Sequence, residues 1–523
     1  MLILKDKKAV VLKLKSPERV TTVIPTAKTV KHQGARLVAV PHRPDETRVL
    51  RNLGFDVPDP MPIHYDWPKA AGRYDPFIAQ RETANFLTMH HRAFCLNGMG
   101  TGKTNATLWA FDYLRRSKQV QRMLVVCPLS TMERTWADSV FQTFPHLDFT
   151  VVYGDRKRRK KLLAQKSDVY IINVDGVPTI KEDLADRDDI DLIVIDELAL
   201  ARNSSTTRWK TLNEICNKQM ARRVWGLTGS PTPNAPTDAW AQCKLLLPQD
   251  KNVPQYYGKF RDLVMKQLSL YKWVPRQDAN ETIYKMMQPS IRYSLDDCTD
   301  LPEQIFITRD VELTDEQSKA YKDMLSKLAT EYGGGQILAV NEAVKANKLI
   351  QIACGVAYGT DGQEVVLPSQ PRIDVLKEII EESEGKVIVF VPLTAALESV
   401  ASELRKDWAV EIVHGETSKA ERDRIFSAFQ KMDDPRVLVA NAATMSHGLT
   451  LTAATTIVWY APVHSNEIYE QACARVRRPG QTRSTVIAHI AGSEIERRVY
   501  KRLQQKQSMQ GVLLDMMKDS PEE

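Results

Sequence analysis

Two α/β lobes on parallel sheets, with a helical insertion between them and a small N-terminal β-containing appendage, are what this sequence predicts. Two observations carry that prediction. Between residues 90 and 230, short β-branched runs alternate with helical patterns, and the same alternation returns after residue 385. Strands buried on both faces read as such apolar runs, and helical crossovers between them imply βαβ units with parallel pairing.

In chain order the first lobe offers AFCL at 93, MLVVC at 123, FTVVY at 149, VYIIN at 169, DLIVID at 191 and RRVWGLT at 222. The second offers GKVIVFV at 385, VEIVHG at 410, RVLVAN at 436, TIVWYAP at 456 and TVIAHI at 485. From 235 to 370 that pattern gives way to polar helical stretches such as TDEQSKAYKDMLSKLATEYGGG and VNEAVKANKLIQIA, with Gly333, Gly334 and Gly335 as a turn. Residues 1–72 begin with KAVVLKLK at strand period and end in the Pro-rich PDPMPIHYDWP, a small β unit and then a linker. RRVYKRLQQKQSMQGVLLDMM near the C-terminus predicts a helix with a polar end.

A length of 523 residues suggests three to four domains at roughly 150 residues each, ample for a core without disulfide or metal staples. Hydrophobic residues at 43% and charged residues at 26% exclude fibrous and wholly disordered classes. No apolar run reaches the roughly 18 residues of a membrane span, and lysines interrupt the start where a signal peptide would stay apolar. An intracellular protein with no membrane partner is expected: cytoplasmic in a bacterial or phage-infected cell, nuclear in a eukaryotic one. The seven cysteines stand far apart with no CxxC pair, so reduced thiols are expected and a zinc site is not. Adjacent His90 and His91 point to different helix faces and make poor co-ligands.

Charge is uneven along the chain. Residues 1–72 hold 13 Lys and Arg against 7 Asp and Glu, so +6 of the net +7 lies there. That asymmetry fits either an auxiliary contact with an anionic partner, DNA in particular, or a cap on the first lobe with a solvated basic surface. The run RKRRKK at Arg156–Lys161 similarly reads as a solvated helix start, a DNA patch or a nuclear signal.

The strongest chemical signal is Asn97-Gly-Met-Gly-Thr-Gly-Lys-Thr104, placed after the strand AFCL and before the helical TNATLWAFDYLRR. A phosphate-binding loop sits at such a junction: Gly98, Gly100, Thr101 and Gly102 bring backbone N–H groups to phosphate oxygens, Lys103 neutralises the β- and γ-phosphates, and the Thr104 hydroxyl holds Mg²⁺. Asn97 replaces the first glycine of the general pattern. DLIVIDELA puts Asp196 and Glu197 at the C-terminal end of an apolar strand, the edge where open parallel sheets bind ligands. There Asp196 would hold Mg²⁺ through water and Glu197 would deprotonate the attacking water, although two acids ending a strand equally serve as a helix cap.

Taken together the motifs resemble those of the Swi/Snf-type ATPases of helicase superfamily two. DPFIAQ resembles the Q motif, NGMGTGKT motif I, VVCPLSTMERTW motif Ia, DELA motif II and LTGSPTPN motif III. VIVFV resembles motif IV, VHGETSKAERDRIFSAF the segment after it, LVANAATMSHGLTLTAA motif V and QACARVRRPGQT motif VI, all in order over residues 73–505. DELA departs from the family's DEAH in its third and fourth letters and keeps both carboxylates.

The resemblance implies two RecA-like lobes, ATP and Mg²⁺ as cofactors, and DNA-stimulated ATP hydrolysis driving translocation on double-stranded DNA through sequence-independent backbone contacts. A strand-separating helicase and a non-catalytic nucleic-acid clamp are the alternatives. It also implies that Gln80 reads adenine and that Arg475 and Arg478, at i and i+3 of a helix, are arginine fingers; alone they would read as a basic helix surface. Ser130, Thr131, Asn173, Thr417, Ser418, Thr444 and Gly448 lie in segments resembling the family's phosphate contacts, and each alone equally reads as a helix cap. The expected division is 1–72 appendage and linker, 73–248 lobe one, 249–370 helical bridge, 371–505 lobe two, and 506–523 C-terminal helix and tail.

Overall fold

A computed structural model of the chain describes residues 1–32, 35–70, 75–269, 272–299, 301–327, 329–332, 335–338, 342–358, 363–445 and 450–504. These form two compact units, one from Met1 to Cys298 and one beginning at Thr299.

The first unit opens with strands β1 (Leu2–Leu4), β2 (Ala9–Lys13), β3 (Lys28–His32) and β4 (Ala35–Pro41), paired antiparallel in the order β1-β2-β4-β3. Alternation along β2 and β4 turns Val10, Leu12, Val38 and Val40 inward, where Val20, Ile24, Leu50 and Val57 complete a separate small core. The helix Pro44–Asn52 begins with proline at its first turn, where a missing N–H costs nothing. Polar contacts fasten this appendage to the rest of the first unit. The Tyr65 hydroxyl donates to Asp112 Oδ2 at 2.6 Å, the Trp109 indole to the Pro68 carbonyl at 2.7 Å, and Arg223 meets Asp45 at 3.2 Å.

Beyond it, β5 (Arg92–Cys95), β6 (Arg122–Cys127), β7 (Phe149–Val152), β8 (Val169–Asn173), β9 (Ile190–Asp196) and β10 (Arg223–Leu227) form a parallel sheet. A hairpin of β11 (Met265–Ser269) and β12 (Lys272–Pro275) precedes β13 (Ser290–Ile291), which joins the sheet edge, giving the order β13-β5-β10-β9-β6-β8-β7. Both faces are buried, as the continuous apolar runs require. Phe94, Leu124, Tyr170, Ile193 and Val224 enter one core; their chain neighbours Cys95, Val125, Ile171, Val194 and Trp225 enter the other.

In the second unit β14 (Gln304–Asp310) precedes two hairpins, β15 (Ala329–Tyr332) with β16 (Gly335–Leu338) and β17 (Val356–Tyr358) with β18 (Glu364–Val366). Then come β19 (Lys386–Phe390), β20 (Val410–Val413), β21 (Val437–Ala440), β22 (Ala454–Trp459) and β23 (Thr485–Ala491), in a parallel sheet ordered β14-β23-β22-β19-β21-β20. Val387, Val389, Val439 and Val458 face one core and Ile388, Phe390, Leu438 and Trp459 the other.

The stretch read as helical does hold the helices Asp315–Lys327 and Glu342–Ala353, yet it also supplies an edge strand to each sheet. Two residues of β13 are too few to show a period. β14 has one partner and leaves Ile305 and Phe306 42% exposed, so its sequence lacks the uniform apolarity of an inner strand. Gly335 opens β16, and Gly333 and Gly334 lie outside the described residues. Residues 494–504 are helical as expected, and 505–523 lie outside the described residues.

Candidate ATP site and motor elements

Register brings the site together at one edge of the first sheet. Leu227, the last residue of β10, pairs with Cys95 at the end of β5 and with Asp196 at the end of β9. The loops leaving these three strands therefore start level, and they carry the glycine-rich loop, the acidic pair and the Gly-Ser-Pro segment.

Gly100 and Gly102 have φ of 81° and 82°, a left-handed backbone that glycine adopts without steric cost. Gly102 then N-caps the helix Lys103–Arg116, whose first N–H groups face the loop, the geometry that receives phosphate. A Cβ on Gly102 would also lie 2.1 Å from the Gln80 amide nitrogen, and one on Gly229 would lie 3.4 Å from the Asn97 carbonyl, so both glycines permit close packing around the loop. Lys103 Nζ donates to the carbonyls of Asn97 (2.9 Å) and Gly98 (3.0 Å), folded back onto the loop it serves. Thr101 is buried and its hydroxyl donates to the Gly98 carbonyl at 2.9 Å, while Thr104 sits half-buried in the first helical turn.

Asn97 has a role that glycine could not fill. Its amide nitrogen donates to the Thr83 hydroxyl at 2.7 Å and its Oδ1 accepts from the Tyr293 backbone N–H at 2.9 Å, tying the loop to the helix Ile78–Met89 and to the segment after β13. Gln80 is buried and engaged at both ends: its Nε2 donates to the Thr101 carbonyl at 3.1 Å and its Oε1 accepts from the Phe77 N–H at 3.1 Å. In this arrangement its amide braces the loop.

Asp196 Oδ2 accepts from the Trp136 indole at 2.9 Å, and its Oδ1 accepts from the Glu197 N–H at 3.1 Å. Burial pushes this carboxyl's pKa up, opposed by the Trp136 hydrogen bond, the positive charge of Lys103 and the Glu197 N–H. Trp136 is wholly buried on the π-helical turn Met132–Ala137, inside a segment that the sequence singles out only as a motif. Its contact with the acid pair is something a residue pattern could not reveal. Glu197 itself has φ +52°, a left-handed conformation uncommon for a residue with a Cβ and found where a site over-determines the backbone.

The expected DNA-contact positions divide between exposed and buried. Ser130 is exposed, whereas Thr131 is buried and donates to the Pro128 carbonyl at 3.0 Å. Asn173 is buried with its Oδ1 accepting from Arg159 at 3.0 Å, and Arg159 also donates to the Val152 and Gly154 carbonyls. The basic run thus forms the helix Arg156–Leu163, capped by Asp155, with its fourth residue turned inward as a brace.

In the second unit Ser418 is the N-cap of the helix Lys419–Lys431, accepting from the Glu421 N–H at 3.2 Å; Thr417 accepts from the His414 N–H at 3.0 Å. Thr444 donates to the Asn441 carbonyl at 2.7 Å, and Gly448 lies outside the described residues.

The structure corrects the expected arginine helix. Arg475 and Arg478 do not share a helix face, because the helix Asn466–Cys473 ends before them and both sit in the turns after it. Pro479 disfavours a helical backbone at Arg478 itself, so the helix could not have carried that residue in any case. Arg475 is buried, and Arg478 donates to the Ala474 carbonyl at 3.0 Å and to the Thr450 hydroxyl at 3.1 Å. Burial lowers the Arg478 pKa to about 10, which still leaves the guanidinium charged at neutral pH.

All seven cysteines are free, and burial raises the Cys95 thiol to about 11 and those of Cys216, Cys354 and Cys473 to about 12, so none of these four is a ready nucleophile. Among the described residues no group of three or more His, Cys, Asp or Glu converges, and no helix is long and apolar enough to cross a membrane.

A glycine-rich loop entering a helix, with an acidic pair at the same edge of a parallel sheet, defines the nucleotide-binding half of a P-loop ATPase. Comparison with known proteins narrows the class: the SNF2-related domain matches residues 79–354 and the helicase conserved C-terminal domain residues 371–480. The chain belongs to the SNF2-related family, and it is an ATP hydrolase of helicase superfamily two.

It is 27% identical to the putative protein p41 of Acyrthosiphon pisum secondary endosymbiont phage 1, over 85% of this chain and 99% of that protein. It is 24% identical to the SWI/SNF-related matrix-associated actin-dependent regulator of chromatin subfamily A-like protein 1 of Xenopus laevis, over 81% of this chain but 42% of that protein. Among solved structures, the Sulfolobus solfataricus SWI2/SNF2 ATPase core in complex with dsDNA aligns over 87% of this chain and 95% of that one, at 22% identity and TM-score 0.41.

Proposed function

We propose that this chain is an ATP-driven translocase on double-stranded DNA, with 73–248 as its nucleotide-binding lobe, 371–505 as its second lobe, 249–370 as the bridge, 1–72 as an appendage and 506–523 as a tail. The observation that carries the reading is the level edge of the first sheet, where Lys103, Asp196 and Glu197 leave strands held in register. Phosphates seated on the N–H groups of the glycine loop would draw Lys103 off the Asn97 and Gly98 carbonyls. Glu197 takes the proton of the attacking water, whose oxygen bonds to the γ-phosphorus while the bond to the β-bridging oxygen breaks. Arg475 and Arg478 neutralise the charge that develops on the transferred group. Gln80, now bracing the loop, would meet the adenine edge.

The Thr104 hydroxyl and the Asp196 carboxylate are hard oxygen donors of the kind Mg²⁺ takes alongside waters and phosphate oxygens, and the carboxylate's hydrogen bonds from Trp136 and the Glu197 N–H favour its charged form. Mg²⁺ held there would supply positive charge that offsets the charge of the phosphates. Ser130, Thr417, Ser418 and Thr444, with Thr131, Asn173 and Gly448 in the same segments, would line the path of the DNA backbone, where hydroxyls and N–H groups grip phosphates without reading bases.

The test measures ATPase activity with no nucleic acid, duplex DNA, single-stranded DNA and RNA, together with displacement of a third strand from a DNA triplex. Stimulation by duplex DNA and ATP-dependent triplex displacement are expected. Efficient opening of a tailed duplex without triplex displacement would replace the translocase by a strand-separating helicase.

A further inference from the structure

Where the N-terminal sheet meets lobe one there is a cavity of about 640 Å³ that the ATP site does not account for. Its walls carry Lys7, Lys8, Lys28, Arg43, Arg116 and Lys118, from the β1–β2 turn, β3, the end of β4 and the C-terminal end of the helix Lys103–Arg116. Asp66 is the one carboxylate among the described residues lining it, and it is taken by Arg116 at 2.9 Å. Lys7, Lys8, Lys28 and Lys118 make no ion pair among the described residues. Four like charges around one concavity repel one another unless an anion sits among them.

Local geometry holds two of these lysines in place and keeps the nearby histidines neutral. Lys8 closes the β1–β2 turn, its N–H on the Lys5 carbonyl at 3.1 Å, and Lys118 ends the helix Lys103–Arg116, its N–H on the Arg115 carbonyl at 2.9 Å; the left-handed backbone at both, φ 46° and 59°, belongs to those turns and sets the two lysines on different walls of the cavity. At the floor, His42 Nε2 donates to the Pro58 carbonyl at 2.8 Å, so its Nδ1 is an acceptor and takes a hydrogen bond from His64 Nε2 at 2.9 Å. Burial, and after it the neighbouring His42, Lys8 and Lys5, hold His64 down to about 4, so it stays neutral at physiological pH and adds no charge to the lysines.

We propose that this cavity is a phosphate-binding site, separate from the ATP site, which takes a phosphodiester of a nucleic-acid strand. Its fit to phosphate stands independently of the motor reading; only the strand as the source of that phosphate rests on it. The site makes the appendage a second contact point that travels with lobe one.

Lys8→Asn with Lys118→Asn in the full chain removes two charges while keeping a residue that tolerates the left-handed backbone, and Lys28→Gln removes one from a strand. Each lost phosphate contact lowers the slope of log K against log salt by about 0.9 on B-DNA. With a blunt duplex of mixed sequence and no nucleotide, the slope should fall by about 1 to 2 in the double variant and by up to about 1 in Lys28→Gln, with basal ATPase unchanged. A second arm titrates inorganic pyrophosphate into the chain in a Lys103→Ala background, which disables the glycine loop. Pyrophosphate binding that the double variant loses, with an unaltered DNA slope, would assign the site to free phosphate compounds in place of a strand. An unaltered slope together with unaltered or absent pyrophosphate binding overturns the proposal. Lack of any DNA-stimulated ATPase in the unmodified chain would sink the motor reading and leave the pyrophosphate arm to decide the site.

Discussion

Replacing Trp136 by phenylalanine removes the indole N–H that donates to Asp196 Oδ2 at 2.9 Å and leaves a flat aromatic ring in its place. Asp196 is a carboxylate that burial already drives toward its neutral form, so the loss of a donor drives it further. A hydrogen bond to a charged group contributes about 1.5–3 kcal/mol, equivalent to roughly 10- to 150-fold in an equilibrium. Activity needs the ionised carboxylate, so the acid limb of the ATPase pH profile should move to higher pH. kcat/KM should fall by at least about tenfold on that limb and recover toward the unmodified value as pH rises. Trp136 is fully buried, and the smaller ring also leaves a void, so Met132→Ala in the same core serves as the control for packing loss without loss of the donor. Steady-state ATPase between about pH 5.5 and 9, with thermal unfolding of each variant, separates the two effects. A deficit that is equal at all pH values, or matched by Met132→Ala, would refute the idea that the indole acts through Asp196.

Three other outcomes are expected. Glu197→Gln should bind ATP normally in an equilibrium titration and lose turnover, because an amide cannot accept the water's proton, while Lys103→Ala should weaken binding as well; near-normal DNA-stimulated turnover in Glu197→Gln would show the base to be misassigned. Arg475→Ala and Arg478→Ala should each lower kcat by about 10³- to 10⁵-fold with little change in DNA affinity, and loss of DNA binding at unaltered kcat would remove them from the phosphoryl chemistry. His489, stacked on Tyr500 at 4.2 Å and bonded to the Tyr469 hydroxyl at 2.7 Å, is held neutral by burial with its pKa lowered from 6.5 to about 4. The unfolded chain therefore binds a proton at a pH where the folded one does not. Denaturant unfolding should show lobe two at full stability above about pH 6.5, losing on the order of 3 kcal/mol as pH falls toward 4, and His489→Phe should flatten that slope.

The chain's own sequence determined the two sheets and the chemistry of one edge. Apolar runs such as Leu192–Ile195 can be stable only with both faces covered, and the glycines at 100 and 102 can hold their backbone only because they lack a Cβ. Local signals of that kind survive without knowledge of the partners. What tertiary structure alone decided depends on residues far apart in the chain. Asn97 is intelligible only with Thr83 and Tyr293 at its two amide ends, and Trp136 acquires a role only where β9 delivers Asp196 to its indole, 60 residues away. Asn173 belongs in the sequence to a segment resembling a phosphate contact, and only the fold shows that its oxygen also accepts from Arg159. The helix expected through Arg475 and Arg478 stops at Cys473, and the two arginines lie in the turns that follow, an ending that the i and i+3 spacing does not register. The basic cavity, finally, is assembled from the β1–β2 turn, β3, β4 and a helix many residues later, and the charge excess of residues 1–72 gave its sign while only the fold gave its location.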